Sequence, residues 1–448
     1  MDVELLSRIQ FALTVGFHFL YPPMSIGLGL ILVVFEGMYV KTKSKKFEQL
    51  TRFWLKLFAI TFGVGVATGV VMEFEFGTNW AGYSRYVGDV FGSPLAAEAV
   101  FAFFLESTFL AILLFGWNKV STKTHFVSTI LVAFGAHLSA LWILIANSWM
   151  QTPTGFHIVG SGSTARAEII DFWAMVFNPS TIERYTHTVV AAWLTGAALV
   201  ISVSAYFLLK KKYEEHSLAS LKIGVAILVV ASVLQLVTGH SNAVMVTDNQ
   251  PTKLAAFEGH YKTGPADMYL IGWVDVDNEK VYGIKLPGML SFLARFDCTA
   301  PLKGLEEFSP EDRPNIQVVF QSYHIMVALG ILFLAVSALS LFLWWKKKLP
   351  NYKLYLWGMS ILFIFPHIAN QFGWIAAEVG RQPWIVYNIL RTKDALSASV
   401  SAGEVLFSII LFTLIYIFTL LIFIYTFIRT MKKGMDIPEL PINKVEVI

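Results

Sequence analysis

The sequence predicts an all-α integral membrane protein with about nine membrane-spanning helices, an outer N-terminus and a cytoplasmic C-terminus. Of its 448 residues, 56% are hydrophobic and only 15% are charged, whereas water-soluble domains carry about 25% charged residues. A bilayer core of about 30 Å takes roughly 20 apolar residues per helix. Runs of that kind lie near residues 9–39, 53–76, 95–117, 125–148, 185–209, 221–239, 318–345, 354–377 and 404–428.

The first run is expected to stay in the protein as a permanent span. It begins with Asp2 and Glu4, exceeds the length of a signal peptide and lacks a small-residue cleavage site. The single cysteine, Cys298, excludes a disulfide framework, a CxxC redox pair and a covalent CxxCH haem attachment within this chain. The net charge of +3 gives no indication of nucleic-acid binding.

Lysine and arginine clusters follow the odd-numbered runs, and the positive-inside rule places them in the cytoplasm. They are Lys41 to Lys46, Lys119 and Lys123, Lys210 to Lys212, Lys346 to Lys348, and Arg429 to Lys433. The predicted division is therefore helices one to six over 1–240, a long external loop over 241–317, helices seven to nine over 318–430, and a cytoplasmic tail over 431–448. The external loop is too long for a simple connection, which indicates a functional segment.

Ionisable residues inside a bilayer cost several kcal/mol and are therefore candidates for function. His18 lies in the first run, and the following Pro22 and Pro23 predict a kink just beneath its imidazole. In the third run, Glu98 and Glu106 fall on roughly the same helix side, which suggests a proton relay or an iron ligand. The alternative for each of these residues is a structural hydrogen bond to a neighbouring helix.

Two serines could extend a relay from Glu106, namely Ser107 on the same run and Ser139 on the fourth. Membrane serines more often bond only to backbone carbonyls. Glu73 and Glu75, at the outer end of the second run, are expected to reach the membrane interface. His137 and His367 are expected to make structural hydrogen bonds, and His125, His216, His240 and His260 could be ordinary solvated residues.

His187 and Met326 share a depth near the outer surface, on the fifth and seventh runs. An imidazole and a thioether together form a six-coordinate haem b site, although a methionine alone more often fills a core gap. Glu378 closes the eighth run beside Trp374 and Arg381. The arginine could bind a haem propionate or simply neutralise Glu378, and the sequence leaves both open.

The candidates cluster in the outer half of the membrane and come from runs one, three, five, seven and eight. This distribution suggests one clustered redox site. A channel or transporter would place polar groups along a path or at the midplane, and the chain shows no internal repeat of the transporter kind.

At this point the chain resembles subunit I of the cytochrome bd oxidase family nearly end to end. Six motifs in the family's order carry the resemblance: SRIQFALTVGFHFLYPP (7–23), MEFEFGTNW (72–80), FFLESTFL (103–110), LSALWILIANSWMQTP (138–153), QPTKLAAFEGH (250–260) and GWIAAEVGRQPW (373–384).

The resemblance implies three cofactors, which are a low-spin haem b, a high-spin haem b and a haem d that binds oxygen. His187 and Met326 match the low-spin ligands. His18, Glu98 and Glu378 match ligands around the two high-spin haems, and which haem each one serves stays open. Further haem contacts would come from Trp374 and Arg381.

Lys253 and Glu258 match quinol-site positions in the short version of the family's external loop. Physically, a carboxylate near neutrality can accept a quinol proton, and an ammonium can bind a quinone oxygen. Without the motif, both residues would be interpreted as solvated loop charges. His324 stands where relatives often have arginine, which puts the same propionate pairing in question.

The resemblance implies a terminal oxidase of the bacterial plasma membrane that oxidises ubiquinol or menaquinol at the outer face. Oxygen would be reduced to water with cytoplasmic protons carried by Glu98, Glu106, Ser107 and Ser139, so that a proton motive force arises without pumping. The expected partners are subunit II, a small single-span subunit and membrane lipid. The rival interpretations are a proton-coupled transporter, a related oxidase with haem b in place of haem d, and a di-haem quinol dehydrogenase subunit. The last would normally show paired histidines on common helices, and the sequence does not show them.

Overall fold

The structure, a computed structural model, describes residues 2–435 and is dominated by helices. In chain order they are α1 (Val3–His18), α2 (Pro22–Thr42), α3 (Lys45–Gly77), α4 (Ala81–Tyr86), α5 (Gly88–Ala97), a π-helical turn (Glu98–Phe103), α6 (Phe104–Phe115), α7 (Thr122–Gln151), α8 (Phe172–Val176), α9 (Thr181–Leu209), α10 (Glu214–Asn249), α11 (Pro251–Glu258), α12 (Met289–Arg295), α13 (Ile316–Trp345), α14 (Lys353–Ser360), α15 (Ile364–Val379) and α16 (Ala402–Lys433).

Within the described residues, eight helical stretches are long and apolar enough to cross a membrane, and a ninth arises if α14 and α15 count as one span bent by 41°. The prediction of an all-α membrane protein with about nine spans is confirmed. The eight stretches are Val3–Thr42, Lys45–Gly77, Gly88–Phe115, Thr122–Gln151, Thr181–Leu209, Glu214–Asn249, Ile316–Trp345 and Ala402–Lys433.

The first span is interrupted between α1 and α2. Helix α1 ends at His18, three residues form a turn, and Pro22 and Pro23 occupy the first positions of α2. Proline is well suited to a helix start because its missing N–H would have no intrahelical partner there. The break therefore leaves His18 on the last turn of a separate helix.

Short antiparallel strand pairs lie in the loops between the helices. They are β1 (Phe156–Val159) with β2 (Arg166–Ile169), β3 (Gly264–Pro265) with β6 (Pro301–Leu302), β4 (Met268–Asp275) with β5 (Lys280–Leu286), and β7 (Trp384–Val386) with β8 (Leu390–Arg391). Since α10 runs to Asn249 and α13 starts at Ile316, the non-spanning segment between them covers 250–315.

This segment, called the lobe below, is tied to the helical bundle by its own apolar core. Leu254 and Phe257 of α11 and Leu290 of α12 join Val319 and Phe320 of α13 in one buried cluster. The lobe is therefore packed onto the ends of α10 and α13. At the other end of the chain, residues 436–448 of the predicted cytoplasmic tail lie outside the described residues.

Helices α2 and α9 approach each other through a glycine pair. A Cβ atom added to Gly27 would lie 2.7 Å from Gly196 Cα and would also clash with the carbonyl of Ala192. The obstacle is backbone, which cannot rotate away as a side chain could. Small residues at such a crossing let two membrane helices pack closely.

We expect Gly27→Ala to lower the midpoint of thermal denaturation of the detergent-solubilised protein. Overpacking of a tight contact costs about 1–3 kcal/mol. Gly63→Ala on α3 is the matched control, because a Cβ atom there meets nothing within 4 Å. Equal midpoints for the two variants would contradict a tight α2–α9 contact.

A buried hydrogen-bonded pair connects α2 to α7. Glu36 and His125 are 0% and 2% exposed, and His125 Nδ1 lies 2.6 Å from Glu36 Oε1. The second ring nitrogen lies 3.0 Å from the carbonyl of Leu113 on α6, and Thr129 donates to the other oxygen of Glu36. His125 is thus a buried, fully bonded residue. The expectation that it is solvated was wrong.

Candidate functional site

The carboxylate of Glu378, at the end of α15, is held by side chains from three other parts of the chain. Asn147 and Gln151, one turn apart at the end of α7, donate to Glu378 Oε1 from 3.3 and 3.1 Å. Arg381, in the turn after α15, donates to Oε2 at 2.5 Å, and Arg184 Nη2 on α9 lies 3.7 Å from Oε1. Two amides and two guanidinium groups therefore converge on one carboxylate.

The same pocket contains guanidinium hydrogen-bond donors that have no partner among the described residues. Arg184 and Arg381 are 9% and 4% exposed, and within residues 2–435 Arg184 Nε, Arg381 Nε and Arg381 Nη1 have no hydrogen-bond partner. Two buried guanidinium groups against one carboxylate leave a net positive charge, which is costly unless an anion balances it. The planar fork of arginine suits a carboxylate, so the pocket fits a haem propionate.

Trp374, one turn before Glu378, connects this pocket to the first span. Its ring lies edge-on to Phe19 at 5.3 Å between centroids, and the Arg184 guanidinium lies 6.0 Å from the same ring. Phe19 directly follows His18. The side chains around Glu378 and those around His18 are therefore neighbours in the helical bundle.

The surroundings of His18 select one tautomer. His18 Nδ1 lies 3.0 Å from Thr68 Oγ1, and the Thr68 hydroxyl lies 2.9 and 3.0 Å from the carbonyls of Val64 and Gly65. Since the hydroxyl proton goes to a carbonyl, Thr68 accepts the Nδ1 proton. Nε2 then keeps its lone pair, as a metal-binding histidine requires. A Cβ atom on Gly69 would lie 3.2 Å from the imidazole, so this glycine lets the ring approach α3.

His187 lies near the N-terminal end of α9 and faces α10. Its Nδ1 lies 3.3 Å from Thr238 Oγ1, and Gly239 leaves room for the ring. The amide of Gln235 lies across the imidazole, 3.1 and 3.2 Å from the two nitrogens. Gln235 Oε1 has no hydrogen-bond partner among the described residues. Gln235 is thus the side chain that covers Nε2, the atom available to a ligand.

Met326 lies on α13 and points toward α15. A Cβ atom on Gly373 would lie 3.0 Å from Met326 Sδ. Helices α9 and α13, which carry His187 and Met326, both pack against α10 and α15.

The carboxylates of the third predicted span face α7. Ser139 donates to Glu98 Oε1 at 2.6 Å. Gly135, one turn before Ser139, faces Glu106, because a Cβ atom there would lie 2.7 Å from Glu106 Cγ. The structure therefore brings Glu98, Ser139 and Glu106 to one helix interface.

Ser107 lies apart from this interface. It is exposed on the outside of α6, and its hydroxyl lies 3.3 Å from the carbonyl of Phe104. Glu75 differs from expectation in the opposite way, since it is buried and accepts a hydrogen bond from Thr14 at 2.5 Å. The Glu75 side chain is therefore enclosed by protein.

Lys253 and Glu258 lie on different sides of α11. Lys253 Nζ donates to the side-chain oxygens of Gln151 and Gln250 at 2.5 and 2.7 Å. Glu258 Oε2 accepts the backbone N–H of Tyr269 at 3.3 Å and lies 3.7 Å from His324 Nε2. Lys253 thus faces the Glu378 pocket, whereas Glu258 faces β4 and α13.

Burial shifts both groups away from their ordinary titration range. It raises the pKa of Glu258 to about 8. Burial and then the charge of Arg184 hold the pKa of Lys253 well below its usual value. Glu258 also lines an open cavity of about 380 Å³ on the lobe, together with Tyr261, Lys262, Asp267, Tyr269 and Tyr282. A carboxyl group with a pKa near neutrality beside a cavity is well suited to proton transfer.

Four contacts of the site were not predicted from the sequence. Asn147, Gln151 and Arg184 complete the Glu378 pocket, and His324 contacts Glu258. A signal existed for three of them. Asn147 and Gln151 belong to the motif LSALWILIANSWMQTP, and Arg184 stands one turn before His187.

Comparisons with known proteins agree over nearly the whole chain. The family model described as cytochrome bd terminal oxidase subunit I matches residues 6–435. Cytochrome bd ubiquinol oxidase subunit 1 of Bacillus subtilis is 40% identical over 97% of this chain and 95% of its own length. Cytochrome bd-II ubiquinol oxidase subunit 1 of Escherichia coli is 36% identical over 97% of each chain.

A solved structure gives the same fold. The bd oxidase from Geobacillus thermodenitrificans aligns with a TM-score of 0.89 and 28% identity, over 97% of this chain and 99% of that one. The fold, the polar cluster around Glu378 and the matches over nearly the whole chain agree, and the chain belongs to the cytochrome bd terminal oxidase subunit I family.

Proposed function

We propose that this chain is the haem-carrying subunit of a quinol-oxidising, oxygen-reducing complex in a bacterial plasma membrane. Membership of the family makes it subunit I of a terminal quinol oxidase. The observation that carries the finer proposal is the Glu378 pocket, where unpaired guanidinium donors lie beside a carboxylate. If an iron porphyrin binds here, Arg184 and Arg381 would hold its propionate and Glu378 would hold its metal.

The proposed cofactors are a low-spin haem b, a high-spin haem b and a haem d. His187 and Met326 would hold the first, and His18, Glu98 and Glu378 would hold the other two. When bound, the haems supply electron transfer and oxygen reduction. The chain fixes the ligand atoms, since Thr68 orients His18 and α10 orients His187.

At the lobe cavity, Glu258 accepts a proton from quinol. Lys253 is proposed to orient the quinol oxygen from the other side of α11, where its ammonium faces the Glu378 pocket. Oxidation of quinol releases two electrons and two protons, so a base is required at the site. Glu258 lines the lobe cavity and has the raised pKa that such a base needs. The relatives are named for different quinols, a ubiquinol oxidase and a putative menaquinol oxidase, and oxidation assays with decylubiquinol and menadiol decide which one this complex uses.

Protons for water formation are proposed to come from the cytoplasm along the α6–α7 interface. Glu106 would hold the proton and pass it toward Ser139 and Glu98, which are already hydrogen bonded. Ser107 faces outward from the subunit and could join only from the side of a neighbouring chain. With the lobe outside and uptake from inside, charge separates without a pump.

The proposed complex contains subunit II and a small single-span subunit. The test of the whole proposal is a reduced-minus-oxidised absorption spectrum of the purified complex with pyridine haemochrome analysis. Two haems b and a chlorin band in the red are expected. A colourless complex would contradict the haem-carrying role, and haem b without the chlorin band would assign the oxidase variant that lacks haem d.

The quinol reaction should depend on pH through Glu258. Because its pKa is raised to about 8, the carboxyl group is mostly protonated below that pH and cannot accept a proton. We expect kcat/KM for quinol to rise by about tenfold per pH unit below pH 8 and to level off above it. Glu258→Gln should lower kcat/KM and remove this rise.

Glu311→Gln is the control, since Glu311 is an exposed carboxylate of the same lobe. It should keep the pH profile of the unmodified complex. If Glu258→Gln kept the same profile too, Glu258 would not be the base.

A further inference from the structure

Gln151, the last residue of α7, lies between the proposed quinol residue Lys253 and the proposed haem ligand Glu378. Its side chain is fully buried. Lys253 Nζ donates to its Oε1 at 2.5 Å, and its Nε2 donates to Glu378 Oε1 at 3.1 Å. We propose that Gln151 is a positioning residue that fixes Lys253 and Glu378 relative to each other, an inference that rests on the proposed function of both.

The neighbours fix the orientation of the Gln151 amide. Its oxygen receives a second donor, Gln250 Nε2 at 2.9 Å, and the oxygen of Gln250 accepts from Lys253 at 2.7 Å. A reversed amide would place its N–H groups against two donors and its oxygen against a carboxylate. Since an amide presents one acceptor end and one donor end, Gln151 satisfies both sides in only one orientation.

The backbone brings the two ends close together. A Cβ atom on Gly380, two residues after Glu378, would lie 3.0 Å from Lys253 Cγ. The stem of Lys253 therefore lies directly against the turn after α15. Gln151 itself projects from the end of a 30-residue helix, so its position is set by the bundle rather than by a loop.

The two hydrogen bonds predict effects at both ends of a single side chain. Loss of the Gln151 oxygen removes a hydrogen bond from Lys253 and weakens quinol binding. Loss of the Gln151 N–H changes the electrostatic field at Glu378 and at any haem that Glu378 holds. A neutral amide can serve a lysine and a carboxylate at once, which neither an acid nor an aliphatic side chain can do. Gln151→Leu removes both contacts, and Gln151→Glu keeps the acceptor for Lys253 but loses the donor to Glu378.

The experiment uses the purified complex, with KM and kcat for decylubiquinol or menadiol, haem content and the absorption spectrum as readouts. For Gln151→Leu we expect a roughly tenfold higher KM, as for the loss of a hydrogen bond to a charged group, and a shifted high-spin haem band. For Gln151→Glu we expect a shifted band with a KM close to that of the unmodified complex. Gln10→Leu, at a buried glutamine that bonds Asn79 and Ser408, should change neither readout.

Two further outcomes separate the causes of failure. If Lys253→Met leaves KM unchanged, the proposed quinol role of Lys253 fails, and the inference fails with it. If Lys253→Met raises KM but both Gln151 variants keep the normal KM and spectrum, only the inference about Gln151 is overturned. Lower haem content with a normal KM and normal bands in both variants would show a purely structural role and would also overturn it.

Discussion

Replacement of His187 by alanine will abolish the absorption of the low-spin haem while leaving the high-spin bands in place. His187 and Met326 are the two residues proposed to hold this haem, and without the imidazole only a thioether would remain to hold it. Turnover with quinol should be lost together with the band. The measurements are the reduced-minus-oxidised spectrum and oxygen consumption with quinol.

His216→Ala is the control for this variant. His216 lies at the start of α10, where its Nε2 is 2.8 Å from Gln49 Oε1, and its loss should leave all haem bands unchanged. Met326→Leu should weaken or shift the same low-spin band that His187→Ala removes. An unchanged low-spin band in His187→Ala would sink the assignment of this ligand.

Replacement of Glu106 by glutamine should lower turnover by roughly 10²–10⁴-fold, the usual contribution of a proton-transferring group. Glutamine keeps the shape of the side chain beside Gly135 but cannot carry a proton. Haem content and spectra should stay normal, because the side chain is not a proposed ligand. Oxygen consumption under saturating quinol measures the effect.

Glu73→Gln is the matched control, since Glu73 is an exposed carboxylate at the end of α3. It should keep full turnover. Ser107→Ala tests the exposed serine separately, and near-normal turnover is expected if the route runs through the buried interface. Retained turnover in Glu106→Gln, with normal haem content, would remove Glu106 from the proposed route.

The spans were predictable because apolar length is a property of the sequence alone. The contact between Ser139 and Glu98 was also within reach, since both were identified as polar residues of neighbouring spans. The different orientations of Lys253 and Glu258 could not be predicted from the sequence. Five residues apart on α11, they point in different directions, and only the packing of the lobe decides what each one meets.

The Glu378 pocket shows a second limit. Glu378 and Arg381 were predicted because they are close in sequence and in a known motif. Asn147, Gln151 and Arg184 come from other helices, and their convergence depends on how α7 and α9 are rotated about their axes. Hydropathy does not report such rotations, and neither does it distinguish the buried pair of His125 and Glu36 from solvated charges.

The π-helical turn at Glu98–Phe103 joins α5 and α6 into one helical stretch and changes the rotation of α5 about the helix axis relative to α6. A π-turn holds one residue more than the α-helix that it interrupts, and one residue of α-helix corresponds to about 100° of rotation. Glu98 can therefore face Ser139 while Glu106, on the other side of the turn, faces Gly135. Deletion of one residue from this turn would rotate α5 and Glu98 by about 100° relative to α6. The turn therefore sets the direction of the Glu98 carboxylate relative to that of Glu106.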